Sequence, residues 1–429
     1  MIRNILLAFL LISSISVTAQ RTNSSPYSFF GVGEEFRPVT VEQSAMGGIG
    51  VSFNHYKYLN FTNPAAYSNL RYTTYSFGML NNRLSVDNGS ETQTSNSTGL
   101  SYFTLAFPLG SKAGMSVGIQ PVSSVGYSLS SSVLNNDGTA SEVTLFSGNG
   151  GVSRVYGSIG FKIFKGLSLG LEAGFSFGNV DNSIVNQRAG VSLATKYKEV
   201  TNVRGGSLTI GTQYSKELEN KLVLSAGATM KMGNNLNVTG DDYLYSLTFS
   251  NTGAEFTRDT ISQSEIKGEY RLPIKTTIGA GIGKYDKWYV GLEYEKQDAI
   301  ETSGFLNSSN AAYKYGESNR ISLGGFYLPK LNSISSYWER ITYRAGVRFE
   351  KSGLLVDGSG LNTNFTAVDD FGMSFGLGLP LRRLSTVNMG FEFGKRGTTS
   401  NNLIKENYFN FRLSLSLTDV NWFQKRKID

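Results

Sequence analysis

The sequence lacks cysteine altogether, and it has one histidine and only eight prolines in 429 residues. Without cysteine the chain forms no disulfide, has no thiol nucleophile and binds no metal through thiolates. Beyond the N-terminus, no segment reaches the run of about eighteen apolar residues that a transmembrane helix needs. We therefore expect no helical anchor in the mature chain and no cofactor.

Charge is sparse and dispersed: charged residues make up 17% of the chain, with a net charge of +7. A nucleic-acid-binding protein would concentrate its cations in a patch, so this class of function is excluded. The chain is rich instead in glycine (49), phenylalanine (27) and tyrosine (23), which suits strands with small lumenal residues and aromatic girdles. A mean hydropathy of -0.18 is too low for a helical membrane protein but fits a barrel, whose strands are half polar.

The N-terminus has the three parts of an export signal. Arg3 is the positive n-region, residues 5–12 are the apolar h-region, and small residues up to Ala19 precede a cleavage point. We predict that residues 1–19 are a signal peptide and that the mature protein resides in the outer membrane of a Gram-negative bacterium.

Residues 408–417 alternate strictly between apolar and polar side chains. Because successive side chains of a strand point to opposite faces, this segment has one apolar face and one polar face. The pattern recurs many times at about ten-residue length, as the wall of a transmembrane barrel requires. The predicted fold is all-β: an antiparallel transmembrane β-barrel of about fourteen strands over residues 71–418.

Short and long connections alternate along this predicted wall. Long polar connections are predicted near 81–97, 131–151, 180–203, 238–273, 299–312, 352–367 and 397–406. Since such barrels have short periplasmic turns and long outer loops, both termini are expected in the periplasm. The segment 238–273 holds either a hairpin rising above the membrane or two more wall strands, which would make sixteen. A basic periplasmic tail is predicted over residues 419–429, after aromatic residues at the membrane interface.

Residues 20–70 lack the alternation of wall strands. Glycine pairs and an Asn-Pro dipeptide break regular structure there, whereas Phe29 and Phe30 are too apolar for a free linker. We predict a compact plug inside the barrel, with these two phenylalanines near any lumenal ligand; a periplasmic arm is the alternative. The only histidine, His55, lies in this segment, with no serine–histidine or metal-site pattern around it. The sequence thus indicates a hydrogen-bonded plug residue and no enzyme.

Pro121 falls in the middle of the third predicted wall strand, between Ile119 and Val125. Proline donates no hydrogen bond and is normally confined to sheet edges or bulges, and an unpaired backbone group is costlier still in lipid. The sequence favours a kink at this position. The kink is either a tolerated bulge without a role or a lateral gate through which an apolar molecule leaves the lumen.

Together, the export signal, a plug ending in Asn63, Pro64 and Ala65, about fourteen strands and the interrupted third strand resemble the FadL family, in a form similar to members from Bacteroidetes-type bacteria. That family transports long-chain fatty acids and other hydrophobic compounds across the outer membrane. The resemblance implies passive uptake: a hydrophobic small molecule is captured among the outer loops, passes the plug and exits sideways near Pro121. The expected partners are this ligand, outer-membrane lipid and the outer-membrane assembly machinery that inserts the barrel.

Charged residues of both signs recur on the predicted lumenal faces. They are Arg154, Glu172, Glu293, Glu295, Arg344, Arg348, Glu350, Glu392 and Arg412. They either form a paired network that fills the interior, or one of the arginines (Arg344, Arg348 or Arg412) binds the carboxylate of a ligand. Two further functions remain open from the sequence: a FadL-like barrel used in protein secretion or partner binding, and a closed structural barrel.

Overall fold

The computed structural model describes residues 24–419, except 307, 309–311, 360 and 382–383. The predicted signal peptide lies outside this range, as does the predicted basic tail apart from Asp419. In chain order the strands are β1 (Glu34–Glu35), β2 (Thr73–Asp87), β3 (Thr92–Leu109), β4 (Ala113–Leu134), β5 (Ala140–Phe164), β6 (Leu167–Arg188), β7 (Ala194–Glu217), β8 (Val223–Lys231), β9 (Asn234–Phe249), β10 (Glu255–Leu272), β11 (Lys275–Lys284), β12 (Trp288–Gln297), β13 (Glu301–Ser303), β14 (Tyr313–Tyr315), β15 (Ser318–Tyr327), β16 (Thr342–Val356), β17 (Thr366–Pro380), β18 (Thr386–Gly397) and β19 (Lys405–Asp419).

Helical structure in the described residues is short. The α-helix α1 (Val41–Ser44) begins at a capping box, in which Thr40 and Gln43 satisfy each other's backbone amides. Single 3-10 turns occupy Pro26–Phe29, Pro64–Asn69, Trp338–Arg340 and Ser400–Asn402. None of these helices has the length and apolar character needed to span a bilayer.

Fourteen of the strands, β2–β8, β11, β12 and β15–β19, form a closed antiparallel wall. The ring closes where β19 pairs with β2 along Lys405–Asp419. Strand β8 pairs directly with β11, so β9 and β10 are not inserted between them but continue them as a hairpin beyond the wall. The prediction of a projecting hairpin within 238–273 is therefore confirmed, and the sixteen-strand alternative is wrong.

The outer face of the wall is apolar, as the alternation in the last strand predicts. Leu413, Leu415 and Leu417 are exposed at 37%, 40% and 45%, whereas the intervening Ser414 and the preceding Asn410 are buried. On β6 the apolar residues at 169, 171, 175 and 177 are exposed in the same way. An apolar outer face and a polar inner face are the arrangement expected of a barrel wall in a lipid bilayer.

The two ends of the wall differ. At the short-turn end, strands are joined by connections such as 110–112, 165–166 and 285–287. At the long-loop end the strands continue as paired hairpins, and of the connections predicted at 81–97, 131–151 and 180–203 only residues 88–91, 135–139 and 189–193 remain as turns. The prediction of long irregular loops there is wrong. Ser-, Thr- and Asn-rich strands pair as well as apolar ones, and above the lipid their outer face needs no apolar residues.

Candidate functional site

The plug, residues 24–72, lies in the lumen against a belt of wall glycines. Every wall strand from β4 to β18 contributes one glycine at which a Cβ would lie within 3.5 Å of a plug atom: Gly114, Gly160, Gly170, Gly211, Gly227, Gly279, Gly291, Gly324, Gly346, Gly376 and Gly390. Several are direct cross-strand partners, such as Gly170 and Gly211 or Gly324 and Gly346. At Gly114, Gly160, Gly170, Gly227, Gly324 and Gly346 the plug backbone rests on the wall backbone, and at the other glycines plug side chains fill the space.

The predicted motif Asn63, Pro64 and Ala65 is one of the points of contact with this belt. The Asn63 side chain caps the 3-10 turn by accepting a hydrogen bond from the Ala65 amide at 3.0 Å. Its amide nitrogen donates to the carbonyl oxygens of Val51, at 2.7 Å, and of Thr212 on β7, at 2.9 Å. The geometry gives the motif a structural task, which is to fix the plug to itself and to the wall.

Glu293 on β12 holds the plug through its backbone. One carboxylate oxygen accepts hydrogen bonds from the amides of Gly50 and Val51, both at 2.8 Å. The other oxygen accepts from Arg320 at 3.2 Å, and Glu293 is only 2% exposed. Sequence reasoning identified Glu293 as a lumenal charge but not as a plug ligand. Nothing in the local sequence separates it from the other lumenal carboxylates.

His55 links the plug to a turn at the short-turn end. Its Nδ1 accepts from the Lys57 amide, so Nε2 carries the hydrogen and faces the Asp286 carboxylate at 3.3 Å. The Tyr56 hydroxyl donates to the same carboxylate at 2.9 Å. Burial lowers the pKa of His55, and the hydrogen bond and charge of Asp286 oppose this lowering only in part. The imidazole is therefore neutral at pH 7, and its contacts hold the plug to the turn that contains Asp286.

Phe29 and Phe30 of the plug pack in the part of the lumen near the long-loop end. Phe29 makes edge-to-face contacts with Tyr127 and Phe146, at centroid distances of 5.3 and 6.4 Å. Phe30 packs on Tyr313 at 4.7 Å. The apolar inner face near the long-loop end is thus occupied by the protein's own aromatic side chains. The sequence predicts both phenylalanines near a lumenal ligand, and of the two Phe30 lines the cavity described below.

Pro121 lies just beyond the point where the pairing between β3 and β4 ends. Strands β3 and β4 pair from Leu109 opposite Ala113 up to Phe103 opposite Ile119, and no further pairing joins them in the part that the structure describes. Strand β4 stays paired with β5, through a bulge between Pro121 and Ser123.

The bulge also reverses the two faces of β4. In an unbroken strand Val125 and Tyr127 would follow Val117 to the outer face, because side chains alternate with a period of two. The extra residue turns both of them into the lumen, where each is 2% exposed. They pack there with Val32 of the plug.

The short plug strand β1 covers part of the gap between β3 and β4. Glu34 is the cross-strand partner of Ser124 on β4, and the Phe36 amide donates to the Val122 carbonyl at 2.7 Å. On the opposite side the Glu34 carboxylate is paired with Arg396 of β18. Residues 34–36 therefore form a strap that crosses the lumen from β4 to β18.

A cavity of about 360 Å³ lies between the plug, the strap and the wall. Near the gap its lining includes apolar residues from the flanking strands and their neighbours (Phe36, Leu80, Leu100, Pro121 and Val122), together with the polar Asn82 and Ser101 and the Arg154–Glu172 ion pair. The opposite side is charged and includes Arg320, Arg348, Glu295, Asp370 and Glu392, whereas Arg412 lies beside the apolar residues as the cross-strand partner of Leu80. The cavity therefore has an apolar patch that reaches the gap, and charged residues line much of its remaining wall.

The charged side is held by ion pairs. Arg348 lies 2.9 Å from Glu392, 3.1 Å from Glu350 and 3.4 Å from Asp370. Arg412 lies 3.2 Å from Glu392. Of the predicted lumenal arginines, Arg348 and Arg412 thus line the cavity but have carboxylate partners within the protein.

Arg344 has a different place. Its guanidinium donates to Asn388 at 3.2 Å and lies 5.4 Å from the ring centre of Tyr58 in the plug. It faces the lumen as predicted, but it belongs to the contact between plug and wall and not to the lining of the cavity.

Two further cations, both lysines, line the cavity. Lys231 on β8 and Lys275 on β11 are direct cross-strand partners on the lumenal face, and both line the cavity. Lys275 is 3.9 Å from Glu295, whereas Lys231 has no carboxylate within 4.0 Å among the described residues. Like charges directly opposite each other repel, so this part of the cavity attracts an anion. Sequence reasoning missed both residues.

Comparison with known proteins assigns this chain to a family. The family model described as BamG matches residues 1–429, the whole chain. The chain belongs to the BamG family. No curated protein matches it.

Solved structures share the fold of this BamG-family chain. The Pseudomonas putida toluene transporter TodX is 15% identical with a TM-score of 0.60, covering 90% of this chain and 99% of TodX. The CymD monoaromatic hydrocarbon channel is 14% identical with a TM-score of 0.56, covering 89% of this chain and 97% of CymD. A Pseudomonas aeruginosa FadL homologue is 10% identical with a TM-score of 0.58, at 89% and 98% coverage. The resemblance to the FadL family is confirmed at the level of the fold.

Proposed function

We propose that this chain is an outer-membrane channel for the passive uptake of hydrophobic small molecules, which leave the lumen sideways between β3 and β4. The observation that carries the proposal is a lumenal cavity whose apolar side reaches the interrupted ladder at Pro121. Proteins of the same fold described as a toluene transporter and a monoaromatic hydrocarbon channel support it. All of these are channels or transporters by description, which favours transport over enzymatic chemistry.

The lining of the cavity favours an amphiphile such as a long-chain fatty acid. Leu80, Leu100 and Val122 give an apolar path toward the gap, and Lys231 and Lys275 give the opposite wall an excess of positive charge. A carboxylate head would relieve the repulsion between the two lysines while its chain lies on the apolar side. A purely apolar ligand would leave the charged side unused.

The proposed orientation follows from the connections. With long hairpins outside and short turns in the periplasm, the ligand enters between the long-loop hairpins and meets the plug as a floor. The glycine belt and Glu293 hold that floor in place. Outer-membrane lipid is then the acceptor of the ligand, and the outer-membrane assembly machinery is the partner that inserts the barrel.

Replacing Pro121 by valine tests the lateral route, since valine supplies the missing backbone donor and favours an extended strand. Uptake of a labelled long-chain fatty acid into cells or vesicles should fall several-fold. The matched control is Pro108→Val, in the part of β3 that stays paired with β4, which should leave uptake unchanged. If Pro121→Val takes up fatty acid like the parent protein, the lateral exit is wrong.

A further inference from the structure

The connection between β15 and β16, residues 328–341, is an outlier at the short-turn end. The other fully described connections there are far shorter, such as 110–112, 165–166 and 218–222. It is nevertheless ordered: the Lys330 amide donates to the Glu339 carbonyl at 2.8 Å, which closes the loop upon itself. Both ends of the loop are buried, with Leu328 at 4% and Ile341 at 1% exposure.

The tip of this loop exposes apolar side chains. Ile334 is fully exposed at 103%, Trp338 is exposed at 71%, and Leu331 and Tyr337 are exposed at 40% and 42%. An ordered loop gains nothing in water from presenting an isoleucine and a tryptophan. Exposed apolar patches of this kind mark interaction sites, and large buried anchors such as tryptophan carry much of the energy of protein interfaces.

The same end of the barrel is basic. The lysines and arginines in or next to its turns and in the adjoining plug are Lys57, Arg71, Lys112, Lys162, Lys165, Lys216, Lys221, Lys284, Lys287, Lys330 and Arg340. The described carboxylates there are Glu217, Glu219, Asp286, Glu339 and Asp419. Cations thus outnumber carboxylates about two to one, which steers an acidic surface toward this end.

The loop fits a protein pocket better than a lipid leaflet. Ile334 is flanked by Asn332, Ser333, Ser335 and Ser336, on backbone without regular secondary structure. Moving this tip into hydrocarbon would leave polar side chains and backbone amides without partners. At a protein interface the isoleucine enters an apolar pocket while the serines and the asparagine hydrogen-bond at its polar rim.

We propose that the loop 328–341 and the surrounding basic rim are the docking surface for an acidic partner protein. Ile334 and Trp338 are the apolar anchors, and cations such as Lys287 and Lys330 orient the partner. With the short-turn end in the periplasm, the partner is a periplasmic protein or domain. This surface lies at the short-turn end, where β3 and β4 stay paired, so its occupation does not depend on the transport of a ligand.

A photo-crosslinking amino acid at Ile334 tests the proposal in cells that carry the full-length barrel. Irradiation should give one discrete protein adduct, and a control probe at Leu361, exposed at 75% near the long-loop end, should not give it. The double reversal Lys287→Glu and Lys330→Glu should reduce the adduct at least fivefold, whereas Arg258→Glu on the distant hairpin should not.

The captured protein must then bind the purified barrel in nanodiscs. Ile334→Ser should weaken this binding about tenfold or more, as expected for a central apolar anchor, and should leave fatty-acid uptake unchanged. An adduct with lipid only would make the loop a membrane anchor and overturn the proposal. A protein adduct that is insensitive to the charge reversals, or a captured protein that fails to bind the purified barrel, would overturn it as well.

Discussion

Replacing Gly227 by alanine should loosen the plug. A Cβ at this position would overlap the carbonyl oxygen of Val51 and come within 3.1 Å of the Cα of Ser52. Gly227 lies on β8, which is paired along its whole length with β7 and β11, so the wall cannot yield. The plug backbone has to retreat by more than an ångström, because ordinary contact at such a site begins at 3.4 Å.

That retreat breaks identifiable hydrogen bonds. The Val51 amide donates to the Glu293 carboxylate at 2.8 Å, and the Val51 carbonyl accepts from Asn63 at 2.7 Å. A hydrogen bond to a charged group contributes about 1.5–3 kcal/mol and a neutral one about 1 kcal/mol. Loss of both predicts a destabilisation of the seated plug by about 3 kcal/mol, which is roughly a hundredfold in its local opening equilibrium.

Amide hydrogen exchange on the barrel in detergent micelles measures this opening directly. Residues 50–63 should exchange roughly a hundredfold faster in Gly227→Ala than in the parent protein. The matched control is Gly157→Ala on the outer face of β5, where an added Cβ meets nothing within 4 Å. Equal protection of the plug in the two variants would refute the reasoning, since the wall glycines would then not be what the plug rests on.

Three further predictions concern buried charges and pH. Glu293→Gln should speed exchange in the plug and lower the stability of the barrel by about 2 kcal/mol, since the Gly50 and Val51 amides lose a charged acceptor and Arg320 keeps only Glu295; an unshifted melting curve would contradict this. Arg348→Gln removes one cation from three carboxylates, of which Glu392 keeps Arg412 and Glu350 keeps Arg37; it should cost a similar amount, measured as the temperature at which the folded barrel unfolds on a gel. Burial lowers the pKa of His55, so the unfolded chain binds a proton first and stability should fall as pH drops below about 6.5. His55→Gln should remove this slope.

The wall could be predicted because lipid imposes a simple rule on the sequence. Alternation in β6 and β19 determines which side chains face outward, and the exposed positions follow it residue by residue. The rule applies only to the part of the wall that faces lipid. Above the apolar band the strands continue with serine, threonine and asparagine, so hydropathy no longer separates strand from loop, and the paired hairpins other than the one within 238–273 were predicted as loops.

The glycines that contact the plug could not be predicted, because they are the ones that lie at the same height in the wall on different strands. Gly170 and Gly211 lie next to each other only through the register of β6 with β7, and that register is set by closure of the whole ring. The many glycines in the sequence were attributed to small lumenal residues in general. The same limit applies to Lys231 and Lys275, which are far apart along the chain and become neighbours through the pairing of β8 with β11.

The kink at Pro121 was predicted from one residue, yet its effects come from the fold around it. The ladder on the β3 side ends at Ile119, two residues before Pro121, which has no amide to donate. The bulge that accommodates it shifts the strand by one position, and this shift turns Val125 and Tyr127 from the lipid side to the lumen. Those two side chains then form the surface on which Phe29 packs. The gap, the reversal of faces and the docking of the plug beside it are therefore consequences of a single inserted residue, and a straight β4 would lose all three together.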